Sequence, residues 1–207
     1  MKKLVIASRN KGKIREITAI FSRPDIKFLC LDDFPDIPDI VENGSTFEEN
    51  AFIKAQTVAL ATCLPALADD SGLEVDSLGG APGIYSARFA GEGAGDEENN
   101  RRLLEELKAI GDHKRTARFR CVVVLYHPSG AWMTGEGVCE GVIAETLRGA
   151  NGFGYDPLFI PYGGGNRTMA EIADKEKNAL SHRAKALRDL IKKLNDVPQF
   201  IGTTPPS

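Results

Sequence analysis

Short apolar runs and amphipathic stretches alternate along the first part of the chain. Residues 4–7 are a continuous apolar run, which is typical of a strand buried on both faces of an α/β sheet. Apolar residues at helical spacing follow from Ile14 to Phe21, and Asn10 precedes them as a candidate N-cap. Residues 8–13 are therefore predicted to form a strand-to-helix turn that presents free backbone N–H groups.

The next segments contain signals that stop and start regular structure. Two prolines within residues 34–40 indicate an extended or looped stretch. A capping box at residues 46–49 predicts that a second helix begins at Thr46. Residues 66–78 are interpreted as a strand, an acidic turn at residues 69–72 and a second, alternating strand.

The second half of the chain continues the alternation and shows no repeat or linker. A capping box at residues 168–171 precedes the last predicted helix, and the tail at residues 200–207 is expected to be disordered. Residues 1–207 are therefore predicted to form one α/β domain. The predicted elements are a helix at 96–110, a strand at 117–125, a turn at 127–130, strand-like antiparallel pieces at 132–138 and 141–147, a glycine-rich loop at 149–165, and a last helix with an apolar stripe from 180 to 194.

Composition narrows the class of protein. The 207 residues are 42% hydrophobic and 27% charged, with a formal net charge of -3, which is ordinary for a soluble globule. The acidic balance disfavours a nucleic-acid partner, and no signal-peptide core or membrane span is visible. Four widely spaced cysteines, without a C-x-x-C pair, predict buried, reduced thiols, no zinc site and a cytoplasmic location.

Two polar segments suit a phosphate and a divalent cation. The turn at residues 8–13 combines a helix N-terminus with cations, although it lacks a P-loop pattern, and taken alone a capped helix start is the better interpretation. Glu42 and the adjacent pair Asp69 and Asp70 are candidate Mg²⁺ ligands. An ordinary acidic turn explains Asp69 and Asp70 equally well.

Two further segments suit a base and an anion. Glycines on both sides of Phe153 would let a nucleobase stack on its ring, and a glycine-rich turn with core aromatics is at least as common. Lys177, His182 and Arg183 lie near the start of the last helix, and a bend at Ser181 would bring Lys177 and Arg183 near one site. His182 alone is better explained as a structural hydrogen-bonding residue. Together the segments contain the parts of a Mg²⁺-nucleotide site.

Ordered motifs over nearly the whole chain resemble the inosine triphosphate pyrophosphatase family, also known as the XTP/dITP diphosphohydrolases. The family's motifs are similar to residues 8–13 (S/T-x-N-x-x-K), 42–55 (E-x-G-x-[ST]-F-x-x-N-A-x-x-K-A), 69–88 (D-D-S-G-L-x-V-x-x-L-x-G-x-P-G-x-Y-S-A-R), 152–157 (G-F-G-Y-D-P), 168–171 (T-x-A-E) and 177–183 (K-x-x-x-S-H-R). Asn43 departs from the Thr or Asp usual at its position, which affects no catalytic role. The role of Arg88 stays open.

The resemblance implies a function and a fold. The function is Mg²⁺-dependent hydrolysis of nucleoside triphosphates such as ITP, dITP and XTP to the monophosphate and pyrophosphate, by a homodimer that keeps deaminated purines out of DNA and RNA. The fold is an elongated mixed β-sheet with flanking helices and two lobes around a deep nucleotide cleft.

The resemblance also implies residue roles. Asp70 is the expected proton acceptor, and Glu42 and Asp70 are the expected metal ligands. The remaining expected substrate contacts are Ser8, Arg9, Asn10, Lys11, Gly12, Lys13, Lys54, Asp69, Ser71, Phe153, Gly154, Tyr155, Asp156, Lys177, His182 and Arg183. An Arg183 guanidinium aimed at the base would favour the C6 oxygen of hypoxanthine or xanthine over the amino group of adenine.

Three rival functions stay open at this point. A sensor could keep the nucleotide pocket without turnover, although it would not need the base Asp70. A single-stranded nucleic-acid binder could use Phe153, Tyr155 and the lysines, against the acidic balance. A related pyrophosphatase could prefer modified pyrimidines, because pocket depth cannot be judged from the sequence.

Overall fold

The structure, a computed structural model, describes residues 1–111, 114–196 and 200. Within these residues the strands are β1 (Lys2–Ile6), β2 (Ile26–Cys30), β3 (Ala66–Val75), β4 (Thr116–Tyr126), β5 (Trp132–Ile143) and β6 (Phe159–Pro161). The α-helices are α1 (Lys11–Ile20), α2 (Phe47–Thr62), α3 (Asp96–Ile110), α4 (Asp174–Leu180) and α5 (His182–Asn195). Short 3₁₀ helices cover Leu31–Asp33, Asp76–Leu78, Gly83–Arg88 and Met169–Glu171.

The strands form a mixed sheet in the order β2-β1-β3-β4-β5-β6. Strand β1 pairs in parallel with β2 and with β3, whereas β5 and β6 are antiparallel. Leu4, Val5 and Ile6 in β1 are at most 1% exposed, as expected for a parallel strand covered on both faces. The predicted mixed α/β class is therefore confirmed.

The chain divides into two compact units that alternate along the sequence. Among the described residues, the first unit contains 1–70, 121–137, 183–196 and 200, and the second contains 71–111, 114–120 and 138–182. The prediction of a single domain over residues 1–207 stays a prediction. No helix in the described ranges is long and apolar enough to cross a membrane.

The first unit has a core between β-strands and the helices α1 and α5. Ile17 and Phe21 of α1 and Leu187 and Leu190 of α5 are all buried in this cluster. Helix α5 passes so close to β5 that a Cβ on Gly135 would lie 2.3 Å from the Ala186 carbonyl oxygen. Only glycine permits this approach.

The second unit has its own core around α3. The predicted amphipathic helix has the predicted bounds, and its Leu103 and Leu107 are fully buried with Leu73, Phe119 and Phe159. Each such buried leucine contributes roughly 1.5–3 kcal/mol through the hydrophobic effect. The pattern of apolar positions therefore sufficed to predict this helix.

Two predicted strand breaks are wrong. Residues 69–72 are not an acidic turn, because β3 continues through them from Ala66 to Val75. The pieces predicted at 132–138 and 141–147 form one strand, β5, which ends at Ile143. In β5, Gly141 marks a close approach rather than a turn, since a Cβ there would lie 2.2 Å from the Ile160 carbonyl oxygen.

The predicted last helix is interrupted. Ser181 has an extended backbone, with φ -65° and ψ 153°, so α4 and α5 are separate helices. The chain thus bends at Ser181, but Lys177 pairs with Asp156 and Arg183 with Asp69. The predicted capping box supports a 3₁₀ turn, where the Thr168 N–H donates to Glu171. The predicted glycine-rich loop contains the short strand β6. Of the predicted disordered tail, residues 201–207 lie outside the described residues.

The thiols are only partly as predicted. Cys121 and Cys139 are buried, but Cys30 is half-buried and Cys63 is exposed. Cys63 adopts a left-handed conformation, with φ 54°, directly after the last residue of α2.

Candidate active site

The predicted strand-to-helix turn is confirmed, but several of its N–H groups already have partners. The Asn10 side chain caps α1 by accepting hydrogen bonds from the N–H groups of Gly12 and Lys13, at 2.9 and 3.1 Å. The Ser8 hydroxyl accepts from the Asn10 N–H at 3.1 Å. These side chains therefore stabilise the turn itself, and Lys11 and Gly12 lie exposed or half-buried at its surface.

Arg9 is directed at the loop that leads to Glu42. Its guanidinium donates to the carbonyl oxygens of Ile37 at 2.9 Å and Leu31 at 3.4 Å, and it pairs with Asp32 and Asp39. Arg9 therefore fastens the loop at residues 31–39 to the start of α1. A substrate contact by Arg9 stays a prediction.

Asp69 is a buried carboxylate shared by two cations. Its Oδ2 lies 3.1 Å from Lys13 Nζ and 3.0 Å from Arg183 Nη2. Burial alone would raise the pKa of Asp69, but the charges of Lys13 and Arg183 outweigh it and hold that pKa far below its usual range. Arg183, 1% exposed, also pairs with Glu16 of α1.

Glu16 is a residue that the sequence analysis missed. It lies three residues after Lys13, so both side chains project from neighbouring positions of α1. That spacing was the available signal, but a single Glu on a surface-patterned helix is usually solvated. Only the buried Arg183 opposite shows that Glu16 neutralises an interior charge.

The neighbouring carboxylate Asp70 faces a second buried cation. Lys54 of α2 lies 3.4 Å from Asp70 Oδ1 and 3.1 Å from Glu42 Oε2. Burial raises the pKa of Asp70, and nearby Glu42 adds to this, while Lys54 opposes it. The pKa of Lys54 is raised because Asp70 and Glu42 outweigh the effect of its burial. We call Glu42, Asp69, Asp70, Lys13, Lys54 and Arg183 the carboxylate cluster.

Asn50 is a second residue that the sequence analysis missed. Its Nδ2 donates to Asp70 Oδ2 at 3.1 Å, and its Oδ1 accepts from the Gly44 N–H at 2.8 Å. This buried amide therefore links Asp70 to the segment that carries Glu42, two residues before Gly44. A Cβ on Gly44 would lie 2.7 Å from Asn50 Oδ1, which explains the glycine.

The donor set of the carboxylate cluster fits a hard divalent cation. Oxygens of Glu42 and Asp70 converge on one point, which the Lys54 ammonium marks by contacting both. Magnesium prefers one or two carboxylates together with water and phosphate oxygens, and two carboxylates converge here. Glu42 and Asp70 would therefore hold such an ion.

In the second unit, residues 152–157 form a second group, which we call the aromatic loop. Asp156 Oδ2 accepts from the Phe153 N–H at 2.9 Å and from Lys177 Nζ at 2.6 Å. The Lys177 ammonium also lies 5.0 Å from the centre of the Phe153 ring. A Cβ on Gly152 would lie 2.0 Å from Asp156 Oδ2, so this close turn requires glycine.

Helix α3 holds the aromatic loop in place through the backbone of Gly154. The Gly154 N–H donates to Asp96 Oδ2 at 2.7 Å, and its carbonyl oxygen accepts from Asn100 Nδ2 at 2.8 Å. The Tyr155 side chain is buried and donates to the Ser86 carbonyl oxygen at 2.9 Å. The phenol of Tyr155 is thus a core group, and burial raises its pKa.

Two further predicted residues, His182 and Ser71, belong to neither group. His182 in the second unit stacks on Phe119, with ring centres 4.7 Å apart, which supports its interpretation as a structural residue. Ser71 is half-buried in β3 directly after Asp70. The structure thus joins Glu42, Asp69, Asp70, Lys13, Lys54 and Arg183 within the first unit, and Phe153, Asp156 and Lys177 within the second.

The chain is similar to known proteins over most of its length. The model of the Ham1 family matches residues 4–193, which is most of the chain. The chain belongs to the Ham1 family. Among Ham1 relatives, the dITP/XTP pyrophosphatase of Geobacter sulfurreducens is 54% identical over 90% of this chain and 94% of its own length. That of Geobacillus kaustophilus is 48% identical over 99% of this chain and all of its own length.

Solved Ham1 structures share the fold. A HAM1 protein from Coxiella burnetii is 46% identical, with a TM-score of 0.86 over 95% of this chain and all of that chain. The Staphylococcus aureus Ham1 protein is 42% identical, with a TM-score of 0.83 over the same shares. The family resemblance and the fold class predicted from the motifs are therefore confirmed.

Proposed function

We propose that this protein hydrolyses the deaminated purine nucleoside triphosphates ITP, dITP and XTP to the monophosphate and pyrophosphate. The observation that carries the proposal is the convergence of Glu42 and Asp70 on one cation position, next to Lys13 and Asp69. The near full-length similarity to relatives named dITP/XTP pyrophosphatase supports the choice of substrates. Such an enzyme would remove from the nucleotide pool the deaminated triphosphates that would otherwise enter DNA and RNA.

The proposed chemistry is attack of water on the α-phosphorus. A new bond forms between the water oxygen and the α-phosphorus, the bond to the bridging oxygen breaks, and pyrophosphate leaves. Asp70 accepts the proton of the water as the general base. Lys13 and Lys54 stabilise charge on the triphosphate oxygens.

Magnesium held by Glu42 and Asp70 would supply further charge neutralisation on the phosphate oxygens. Phe153 would offer its ring to the base, with Lys177 near the ring as a phosphate ligand or a partner of Asp156. The contact between Arg183 and the C6 oxygen stays part of the proposal. It requires one of the bonds from Arg183 to Asp69 or Glu16 to open, since the guanidinium is buried between them.

The test is release of pyrophosphate from ITP, dITP, XTP, ATP and GTP with Mg²⁺, for the wild type and Asp70→Asn. We expect rapid release from ITP, dITP and XTP, slow release from ATP and GTP, and a loss of at least 100-fold in kcat for the variant, on the scale of losing one essential catalytic group. Tight ITP binding without release would instead support the sensor. Near-normal turnover by Asp70→Asn would remove its role as base.

The proposal includes a compartment and an assembly. The cytoplasm is the proposed location, and the absence of a disulfide among the four cysteines, all within the described ranges, suits a reducing compartment. The homodimer implied by the family resemblance is part of the proposal too. Light scattering of the full chain during size-exclusion chromatography would test it, and a mass of one chain would overturn it.

A further inference from the structure

The cation position between the two proposed metal ligands is filled by the chain itself. Lys54 Nζ lies 3.1 Å from Glu42 Oε2 and 3.4 Å from Asp70 Oδ1, and the lysine is only 7% exposed. A buried ammonium between two carboxylates is a strong local charge, because the interior screens it far less than water does.

We propose that the Lys54 ammonium is an internal counter-ion that competes with divalent cations in the nucleotide-free protein. In this proposal a divalent cation binds tightly only together with a triphosphate, to which the ammonium transfers. The inference rests on the proposed function, because it takes Glu42 and Asp70 as the metal ligands. It adds an order of binding: Lys54 occupies the cation position first, and the metal and the nucleotide then bind together.

Distances make simultaneous occupancy unfavourable. A magnesium ion binds carboxylate oxygens at about 2.1 Å. The oxygens that would bind it are the ones that Lys54 already contacts, so the ammonium and the ion would compete for one small space. Either the ion stays out or the ammonium moves to another anion. The triphosphate brings several anionic oxygens at the moment when the metal arrives.

The surroundings of Lys54 allow the competition to be tested without dismantling the site. Asn50, one helical turn earlier on the buried face of α2, holds Asp70 Oδ2 and the Gly44 N–H independently of Lys54. Removing the charge at position 54 should therefore leave the Asp70 carboxylate and the backbone next to Glu42 near their present positions. The two carboxylates would then lack a cation and attract one from solution.

The experiment measures Mn²⁺ binding to the nucleotide-free full-length protein by electron paramagnetic resonance. We expect Lys54→Gln to bind Mn²⁺ at least tenfold more tightly than the wild type, while Lys54→Arg, which keeps the charge, stays as weak as the wild type. Lys27→Gln, which removes an exposed charge from β2, is the matched control and should not change the affinity. Equal affinities of the wild type and Lys54→Gln would overturn the inference.

Two further measurements separate the inference from the proposed function. Adding Glu42→Gln to Lys54→Gln should abolish the tight Mn²⁺ binding, and tight binding that persists would overturn the metal site itself. In the wild type, a non-hydrolysable ITP analogue should increase Mn²⁺ binding to the protein, whereas Mn²⁺ bound equally tightly without nucleotide would overturn only the inference. Thermal unfolding checks that each variant is folded, and Lys54→Met replaces Lys54→Gln if that variant is not.

Discussion

The carboxylate cluster and the aromatic loop place functional groups by different physical means. In the carboxylate cluster, side chains hold side chains: Asp69 is buried between Lys13 and Arg183, and Asp70 lies against Lys54 and Asn50. The aromatic loop has a buried pair too, Lys177 with Asp156, but α3 holds this loop through its backbone: Asp96 and Asn100 bind the two polar groups of Gly154.

The difference determines what each region can tolerate. Each charge in the carboxylate cluster is compensated by another buried charge, so removing one leaves its partner uncompensated at low dielectric. Besides the Lys177–Asp156 pair, the aromatic loop relies on hydrogen bonds to its backbone, which contribute roughly 1–1.5 kcal/mol each. The first region therefore depends mainly on compensated buried charges, and the second depends more on hydrogen bonds to its backbone.

The largest expected effect is a loss of stability in Arg183→Met. The change removes the guanidinium that faces Asp69 and Glu16, and breaking a buried ion pair typically costs about 3–5 kcal/mol. Urea unfolding would measure it. The control is Arg101→Met, which breaks an exposed pair with Glu105 and should cost less than about 0.5 kcal/mol. Equal losses of stability in the two variants would mean that the buried charges of the carboxylate cluster stabilise the protein no more than an exposed ion pair does.

The second-largest expected effect is a loss of activity in the variant Asn50→Ala. The variant loses the amide that links Asp70 to Gly44, so both proposed metal ligands lose a positional restraint. We expect kcat/KM to fall by 10- to 100-fold, or about 1.4–2.7 kcal/mol, with a stability loss of about 1–3 kcal/mol. Steady-state pyrophosphate release provides the measurement. An unchanged kcat/KM in a destabilised protein would make Asn50 merely structural.

A smaller effect is expected in the aromatic loop, from Asp96→Ala. This variant removes the acceptor for the Gly154 N–H, a hydrogen bond of roughly 1.5 kcal/mol because the acceptor is charged. We expect KM for ITP to rise severalfold with little change in kcat, since the loop would orient substrate rather than react with it. Glu97→Ala, at the next position of the same exposed helix turn, is the control. A fall in kcat alone would contradict the contrast between the two regions.

The smallest effect concerns thiols near and far from the carboxylate cluster. Burial raises the pKa of Cys121 to about 12, and Asp69 contributes, so at about pH 8 this thiol stays protonated and unreactive. Exposed Cys63 should react readily with a disulfide reagent, and Cys121 and Cys139 only after unfolding. Mass spectrometry of the labelled peptides would show the order. Labelling of Cys121 in the folded protein would mean that the carboxylate cluster opens to solvent.

Sequence reasoning succeeded where local interactions decide the structure. Asn10 caps α1 and Thr46 caps α2 through their own side chains, within three residues along the chain. The apolar spacing of α3 gave both ends of that helix. The motifs were also sufficient to predict the family, because their order and spacing are specific even when each one alone is weak.

Tertiary structure decided what local preferences could not. The residues Asp69, Asp70, Ser71 and Gly72 favour a turn, yet β3 continues through them. The physical reason is compensation from far along the chain: Arg183 reaches Asp69 across 114 positions, and Lys54 and Asn50 approach Asp70 from α2. Buried carboxylates are stable in a strand only when such partners surround them.

The sequence by itself therefore determined the caps, the amphipathic helices, the family and the types of residue available for chemistry. The tertiary structure decided which of these residues form ion pairs: Glu16 with Arg183, and Glu42 with Lys54. It also decided that Tyr155 is a core residue and that Asn50 links two proposed metal ligands. Pairings of this kind depend on distances between segments remote in the chain, and no local pattern of residues contains those distances.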